Sequence, residues 1–544
     1  MPTDLRTPIS SLQLAHEGTS KRSGITRLTV DIPSSHRPQV EAGLHNPPRW
    51  RTPEFFVYGA FFCVVVPIMV WIPVQLSSSE HPNFNMYRRK LSPGWISGRY
   101  VDNSDAQYRS FRSNTLPLIF LSGAFFGLKL LYSRSLRRVR LTGPSNNSYL
   151  VPFLALFSLI MLAGLHGASV LKVLVILSAN YALAKTCGSS PVGPVLSWIF
   201  NIAILFANEK NEGYRFTSLH TALEILDRAK GIYPRWHISF NITMLRLISF
   251  SLDYYWACKP AGLADPGGVL NEKQRGAIAH PLQTYSFVNY IAYALYPPLY
   301  IAGPIMTFND FMWQVIHRPV AIPLRRTLNY LLRFAICFFM MELILHFMYV
   351  VAIKDAKAWS GYSAAQLCMI GFWNLIVVWL KLLIPWRFFR LWALVDGIDP
   401  PENMVRCMAN NYSALGFWRS WHRSYNLWIE ERRMLLAWGW LVSLFILPEI
   451  IARFLLPPAR FGTRPWYRHV CAIGAVFNIL MMMSANLVGF VIGTDGISYM
   501  LHQVLDSWEG IRFLAFACTC LFVGVQVMFE YREEELRNGI IRRC

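Results

Sequence analysis

The residues best suited to chemistry lie in a short aromatic stretch, residues 416–428. In a helix, side chains at i, i+4, i+7 and i+8 share one face, and four residues of the stretch have this spacing: Trp418, His422, Tyr425 and Asn426. An imidazole exchanges a proton near neutral pH, and aromatic neighbours exclude water. We therefore predict that His422 and Asn426 are catalytic residues on one aromatic helix face, with Arg419 and Arg423 in a second stripe beside it.

A structural interpretation of the same stretch is also open. Tryptophan side chains favour the headgroup level of a membrane, and arginine side chains extend from apolar surfaces towards water. The stretch would then be a re-entrant or interfacial helix. The spacing alone does not decide between the two interpretations, although ionisable groups are costly at membrane depth and usually serve a function there.

The composition indicates a polytopic membrane protein. Of the 544 residues, 54% are hydrophobic and 15% are charged, and the mean hydropathy is +0.31, which is too apolar for a soluble chain of this length. The net charge of +21 does not indicate nucleic-acid binding, because the basic residues are scattered between apolar spans and suit anionic lipid headgroups better. The ten cysteines lack metal-ligand spacing, so no metal site is predicted.

The chain divides into a polar, basic N-terminal tail (residues 1–51), a membrane body (52–531) and a short charged C-terminal tail (532–544). Since roughly 20 apolar residues span a bilayer as a helix, we predict an all-α bundle of about ten to twelve membrane segments. The basic cluster from Arg134 to Arg140 places its loop and the N-terminal tail in the cytosol by the positive-inside rule. The segment Phe216–Tyr233 is predicted to be an amphipathic helix on the interface.

Two features inside the membrane body are unusual. The segment Tyr285–Phe308 contains two proline breaks, at Pro297 and Pro304. Broken backbone at membrane depth needs protein or a water-filled cavity to satisfy it, so this segment is a candidate wall of a buried chamber, with an ordinary kinked span as the alternative. Glu342 and His346 lie at i, i+4 and are interpreted as a structural ion pair rather than as metal ligands.

Three blocks of the sequence resemble the membrane-bound O-acyltransferase (MBOAT) family. The first is Trp418-Arg-Ser-Trp-His-Arg-Ser-Tyr-Asn-Leu-Trp428, and the second runs from Tyr296-Pro-Pro-Leu-Tyr to Asp310. The third runs from Leu435-Leu-Ala-Trp-Gly-Trp through Leu447-Pro-Glu to Asn486-Leu-Val-Gly-Phe. The most similar branch contains the fungal glycerol uptake proteins and is related to Hedgehog acyltransferase. The resemblance covers the chain from about Phe55 to its end.

The resemblance implies a helical bundle that transfers a long-chain fatty acyl group from acyl-CoA to a hydroxyl group of a lipid. For this branch it implies remodelling of glycosylphosphatidylinositol (GPI) anchors in the endoplasmic reticulum membrane, with the plasma membrane as an alternative location. Acyl-CoA is then a co-substrate without any bound cofactor, and the partners are membrane lipids and a lipid or GPI-anchor acceptor. His422 matches the first histidine of the family's catalytic pair. The substrate-binding residues that the resemblance implies are Trp418, Arg419, Arg423, Tyr300 and Pro304.

The sequence departs from the family pattern after the first block. In the family, an apolar helix with a second Trp-His follows, and its histidine is taken to be the base. Here residues 429–434 lead directly into Leu435, and the next histidine, His469, resembles a different part of the pattern. A base contributes about 10²–10⁴-fold, so at best trace activity is expected. The lost segment would also supply roughly one membrane helix, so we interpret the junction as a splice variant or an imperfect gene model.

Two other functions stay open at this point. A glycerol and proton transporter could use Arg333, Glu342 and His346 as a proton relay, although the broken run around Pro297 has no twin in a second half of the chain. A non-catalytic relative that binds acyl lipids would explain the missing histidine.

Overall fold

The computed structural model describes residues 47–96, 98–139, 147–259, 270–317, 322–431, 447–538 and 540. Of these residues, 77% are helical, and the sheet found among them is one antiparallel pair, Leu91–Pro93 (β1) with Tyr100–Asp102 (β2). The predicted all-α membrane architecture is therefore confirmed. The predicted tail residues 1–46 and 541–544, and the family-like residues 435–446, lie outside the described residues.

The helices are numbered in chain order. In the first half of the chain they are α1 Pro53–Leu76, α2 Phe84–Tyr87, α3 Ala106–Val139, α4 Val151–His166, α5 Val170–Cys187, α6 Gly193–Lys210, α7 Glu224–Arg228, α8 Trp236–Cys258 and α9 Glu272–Ala277. Next come α10 Phe287–Ala294, α11 Pro297–Ile301, α12 Phe308–Ile316, α13 Leu324–Phe347, α14 Val350–Asp355, α15 Ala364–Asp396, α16 Ala414–Ser420 and α17 Arg423–Glu431. The last are α18, described over 447–455, α19 Pro458–Phe461, α20 Tyr467–Leu487, α21 Gly493–Leu505 and α22 Trp508–Arg537.

Seven described stretches are long and apolar enough to cross a membrane: Pro53–Leu76, Ala106–Leu136, Asn147–Cys187, Leu324–Phe347, Ala364–Asp396, Tyr467–Leu505 and Trp508–Arg537. Two of them contain more than one helix, namely 147–187 and 467–505. The protein is thus a multi-pass membrane protein, while the count of about ten to twelve segments and the orientation stay predictions.

Helix α15 is the central scaffold of the bundle. It begins with a capping box formed by Ser363 and Gln366 and ends at Gly397, whose φ of 91° is the left-handed conformation that glycine adopts without strain. It contacts α1, α3, α11, α13, α14 and the C-terminal helices α20–α22. Residues of α15 therefore reach both the N-terminal and the C-terminal parts of the bundle.

The predicted break in the helical structure of Tyr285–Phe308 is confirmed. Two short helices, α10 and α11, are followed by non-helical residues 302–307 and then by α12. Buried side chains satisfy the freed backbone groups: Arg246 donates to Ala294 O (2.8 Å) and to Leu299 O, and the Tyr293 hydroxyl donates to Met306 O (2.6 Å). Protein atoms thus stabilise this broken backbone, as membrane depth requires, and the chamber beside it stays a prediction.

The prediction of an amphipathic helix over Phe216–Tyr233 is wrong. The structure has two single turns, Phe216–Ser218 and Thr221–Leu223, followed by the five-residue α7. The Asp227 carboxylate accepts hydrogen bonds from the backbone N–H groups of Phe216 and Thr217, both at 2.9 Å. These side-chain-to-backbone bonds fold the segment back on itself and compete with helical hydrogen bonding. Its location at the interface stays a prediction.

The charged residues near the end of the chain continue a helix. Residues 532–537, predicted as part of a tail, form the last turns of α22. Glu535 is buried there and accepts two hydrogen bonds from the Arg406 guanidinium, at 3.1 and 2.8 Å. This bidentate ion pair attaches the end of α22 to the loop before α16.

A buried carboxylate connects the β-hairpin to α14, and its removal gives a first prediction. Asp102 Oδ2 accepts from Val351 N (3.0 Å) and Ala352 N (2.9 Å) in the first turn of α14. Asp102→Ala is expected to lower the unfolding free energy by about 1–3 kcal/mol for each N–H group left unpaired. The thermal unfolding midpoint in detergent measures this, with the exposed Asp495→Ala as the control. Equal midpoints for both variants would contradict the assignment.

Candidate active site

His422 lies at a break between two short helices, so the predicted continuous helix face is wrong. Helix α16 ends at Ser420, Trp421 is extended, and His422 has a φ of 50°, a conformation that few non-glycine residues adopt. The cause is a contact distant in sequence: Trp421 forms an antiparallel bridge with Met404. The turn thus gives His422 a direction that no helical spacing could predict.

The imidazole of His422 is half-buried beside two aromatic rings. Its centroid lies 4.8 Å from that of Trp386 on α15, at an interplanar angle of 71°, and 5.8 Å from that of Tyr425. His422 Nδ1 is buried and has no hydrogen-bond partner among the described residues. Burial lowers the pKa of His422 to about 4, in a turn outside the candidate membrane spans. The imidazole is therefore neutral at physiological pH, with one N–H donor and one acceptor nitrogen.

Asn403 lies opposite His422, and sequence reasoning missed it. The bridge between Met404 and Trp421 sets the register, and Asn403 O accepts a hydrogen bond from Arg423 N at 3.0 Å. The Asn403 side chain is 1% exposed, and its Nδ2 has no partner among the described residues. Unpaired buried donors are rare and call for an explanation. The Asn403 Oδ1 atom accepts from Ser424 N at 3.4 Å, so only the amide nitrogen is open. This nitrogen and His422 Nδ1 suit a site that binds a polar group of a substrate.

The loop that carries Asn403 is held by Arg390 of α15. The guanidinium donates to Asp399 Oδ1 (2.8 Å), Glu402 Oε2 (3.1 Å) and Pro400 O (2.9 Å). Residues 396–411 include several charged and polar side chains, yet Glu402 and Asn403 are buried. Two acidic residues next to two prolines in an apolar chain are the signal that could have indicated a buried loop.

Asn426 holds the turn around His422. Its Nδ2 donates to Trp418 O (2.6 Å) and to Trp421 O (2.8 Å), the carbonyl groups that the end of α16 leaves open. These contacts give Asn426 a positioning role, and the catalytic role stays a prediction. Trp418 packs against the cluster formed by α16, α20 and α22, and Arg419 is exposed.

Arg423 and the broken segment stabilise α17 from two sides. The Arg423 guanidinium forms a buried ion pair with Glu272 of α9, so at least part of its charge serves the fold. On the other side, Ile305 N donates to Ser424 Oγ at 2.9 Å, which places the buried Pro304 close to α17. The structure therefore brings the Trp-His block and the 296–310 block into contact.

Tyr300 belongs to a different cluster. Its hydroxyl lies 2.8 Å from His166 Nε2, and His166 Nδ1 lies 2.7 Å from Tyr233 O. Since a carbonyl oxygen only accepts, Nδ1 carries the proton and Nε2 accepts from the tyrosine. Tyr300 is 1% exposed in the main hydrophobic core, and its predicted contact with substrate stays a prediction.

The comparisons with known proteins show the family of the chain. The profile of the MBOAT, membrane-bound O-acyltransferase family, matches residues 225–432, which include the broken segment, Asn403 and His422. The chain is 43% identical to the membrane-bound O-acyltransferase GUP1 of Saccharomyces cerevisiae, over 96% of this chain and 98% of the relative. It is 40% identical to GUP1 of Candida tropicalis, over 95% and 94%, and 37% identical to gup1 of Schizosaccharomyces pombe, over 98% and 96%. The chain therefore belongs to the membrane-bound O-acyltransferase family.

Proposed function

We propose that this protein transfers a long-chain fatty acyl group from acyl-CoA to a hydroxyl group of a membrane lipid. We place this reaction in GPI-anchor remodelling at the endoplasmic reticulum membrane, as the resemblance implies. The observation that carries the proposal is a pair of buried polar atoms, His422 Nδ1 and Asn403 Nδ2, which have no hydrogen-bond partner among the described residues and lie on opposite sides of the bridge between Met404 and Trp421. The names of the relatives support O-acyl transfer as the reaction class.

The chemistry assigns each group a task. The acceptor oxygen attacks the thioester carbonyl carbon, the C–S bond breaks, and the CoA thiolate leaves and takes up a proton. Negative charge develops on the carbonyl oxygen in the tetrahedral intermediate, and N–H donors in a water-free site stabilise it. Asn403 Nδ2 and the N–H of the neutral His422 are the donors that we assign to this oxygen. A separate base must take the proton of the acceptor hydroxyl.

We infer that this chain lacks that base. In the family the base is taken to be the histidine of the second Trp-His, and here residues 429–434 lead directly to Leu435. Two findings support an omitted segment. The family profile stops matching at residue 432, and the alignment with the Saccharomyces cerevisiae relative has 564 positions although this chain has 544 residues. The chain would then bind substrates but turn them over slowly.

The transcript tests this inference about the junction. Sequencing across the codons for residues 429–434 is expected to reveal an omitted exon or an alternative splice form. A transcript and genomic sequence that join these codons without an omitted exon would count against it.

A transfer assay tests the proposed reaction. It uses purified full-length protein, labelled palmitoyl-CoA and either lysophosphatidylinositol or lysophosphatidylcholine. It also uses a restored chain, in which the residues that the Saccharomyces cerevisiae relative has at this junction are inserted between Met434 and Leu435. We expect both chains to bind acyl-CoA, the restored chain to acylate the inositol lipid preferentially, and the native chain to show trace transfer. Binding without turnover in the restored chain would favour a non-catalytic lipid-binding protein.

The contacts of Glu342 argue against the transporter alternative. Arg112 donates to both Glu342 carboxylate oxygens (2.7 and 2.8 Å), and Trp95 donates to one of them at 2.8 Å. His346 Nδ1 donates to the backbone oxygen of Glu342 at 2.7 Å and lies 3.9 Å from its carboxylate. The predicted ion pair of Glu342 and His346 thus exists only as a long contact. The cation that pairs with Glu342 is Arg112. A carboxylate so fully paired is a poor proton carrier, and proton-coupled glycerol flux in liposomes would contradict this conclusion.

Asn403 gives a second prediction. In the restored chain, Asn403→Ala is expected to lower kcat by about 10²–10³-fold, the usual effect of removing one oxyanion donor. Its control is Asn411→Ala in the same loop, because the Asn411 amide donates to Cys407 O at 3.1 Å and lies outside the site. Initial rates at saturating acyl-CoA measure the effect. Equal rates for the two variants would remove Asn403 from the mechanism.

A further inference from the structure

An open cleft of about 450 Å³ lies between the first turns of α3 and the C-terminal part of α13. Helix α15 separates it from the active site: on α15, Lys381 contacts Asp105 at the start of α3, while Trp386 contacts His422. Lys381 and Trp386 are five residues apart, which turns their side chains about 140° from each other around the helix. The cleft is therefore distinct from the site of acyl transfer.

The cleft is polar at one end and apolar at the other. Arg109, Asn103 and Ser113 line the first end, and Phe338 and Phe339 line the second. Phe339 is 58% exposed, and Leu116, where the apolar run of α3 begins, is 63% exposed. Exposed apolar side chains such as these face lipid in a membrane protein. The polar end of the cleft therefore lies at the border of the apolar surface of the bundle. A membrane phospholipid has the same order of groups, with a polar headgroup above apolar chains.

Among the described residues that line the cleft, one cation is without an ion pair. The Arg112 guanidinium is paired with Glu342, and Lys381 is paired with Asp105 at 2.7 Å. Arg109 is exposed, donates from Nη1 to Asn103 O at 2.9 Å and has no ion pair among the described residues. The net positive charge at the polar end is therefore that of Arg109, whose other N–H groups remain available for an anion.

We propose that this cleft binds an anionic glycerophospholipid of the surrounding bilayer, with the phosphate group on Arg109 and an acyl chain along Phe339. Arginine pairs well with phosphate because its planar N–H groups match two phosphate oxygens. The volume is within the range of about 300–1,000 Å³ that ligand sites occupy. Trp95, which is 63% exposed at the rim, adds an aromatic side chain of the kind that favours the headgroup level.

Lipid titration tests the site. Native mass spectrometry of the full-length protein in detergent, titrated with phosphatidylinositol or with phosphatidylcholine, measures the dissociation constants. We expect wild type to bind phosphatidylinositol more tightly than phosphatidylcholine. Arg109→Gln should weaken phosphatidylinositol binding by about fivefold, which corresponds to about 1 kcal/mol for a basic residue near a membrane surface, and Arg109→Lys should restore part of it.

Two further variants separate the cleft from general surface charge. Arg89→Gln removes another exposed cation, which lies outside the cleft just before β1, and is expected to leave binding unchanged. Ser113→Trp fills the cleft from an exposed position and is expected to weaken binding as Arg109→Gln does. Equal affinity for the two lipids, or equal losses for Arg89→Gln and Arg109→Gln, would overturn the proposal. Because the readout is binding, its result is independent of acyl transfer.

Discussion

Insertion of the relative's segment between Met434 and Leu435 is expected to raise the rate of acyl transfer by roughly 10²–10⁴-fold. This is the usual contribution of a positioned general base, and the turn with His422 and Asn403 already lies against the scaffold helix α15 in the native chain. Initial rates of labelled acyl transfer to lysophosphatidylinositol, with both chains at equal concentration, measure the gain.

The matched control for this insertion is the same segment with the histidine of its second Trp-His changed to alanine. It restores the length of the chain and the additional membrane helix without the imidazole. We expect this control to be as slow as the native chain. If it were as fast as the full insertion, the segment would act through folding or topology, and the assignment of the base would be wrong.

Replacement of His422 is the second change with a large expected effect. In the restored chain, His422→Ala should lower kcat by about 10²–10³-fold, because the developing negative charge loses a preorganised N–H donor. The Michaelis constant for acyl-CoA should change little, since the lost interaction strengthens only in the transition state. The measurement is the full dependence of the rate on acyl-CoA concentration.

Two controls distinguish a chemical role of His422 from a structural one. His422→Asn retains a residue that tolerates the positive φ of 50°, so its unfolding midpoint should match that of wild type while its kcat falls. His469→Ala removes the next histidine of the chain, which stacks on Phe522 and contacts Gln526 on α22. We expect it to keep most of the activity. A loss at His469 as large as that at His422 would show that the assignment to His422 is wrong.

The sequence predicted those parts of the fold that depend on local composition. Long apolar runs predicted the membrane helices, and the prolines at 297 and 304 predicted the broken segment, because proline removes a backbone donor wherever it lies. The helix proposed for Phe216–Tyr233 failed because one side chain, Asp227, binds backbone N–H groups ten and eleven residues earlier. Periodicity contains no information about such a bond.

The sequence predicted less of the site, because contacts distant in sequence build it. The bridge from Trp421 to Met404 interrupts the expected helix and brings Asn403 beside His422. Similarly, the partner of Glu342 is Arg112, 230 residues away, rather than His346 one turn along the same helix. Arg423 and Asn426 were predicted from their place in the motif, and the structure adds the contacts through which they hold the turn.

A structure of the full-length protein with a non-hydrolysable acyl-CoA analogue tests the central claim most directly, because binding does not need the missing base. We expect the oxygen that corresponds to the thioester carbonyl to lie about 3 Å from both the Asn403 amide and the His422 imidazole. We also expect the acyl chain to run beside the Tyr296–Asp310 segment. An analogue bound elsewhere, with His422 directed to bulk lipid and Asn403 Nδ2 still without a partner, would contradict the assignment of this turn as the acyl-transfer site.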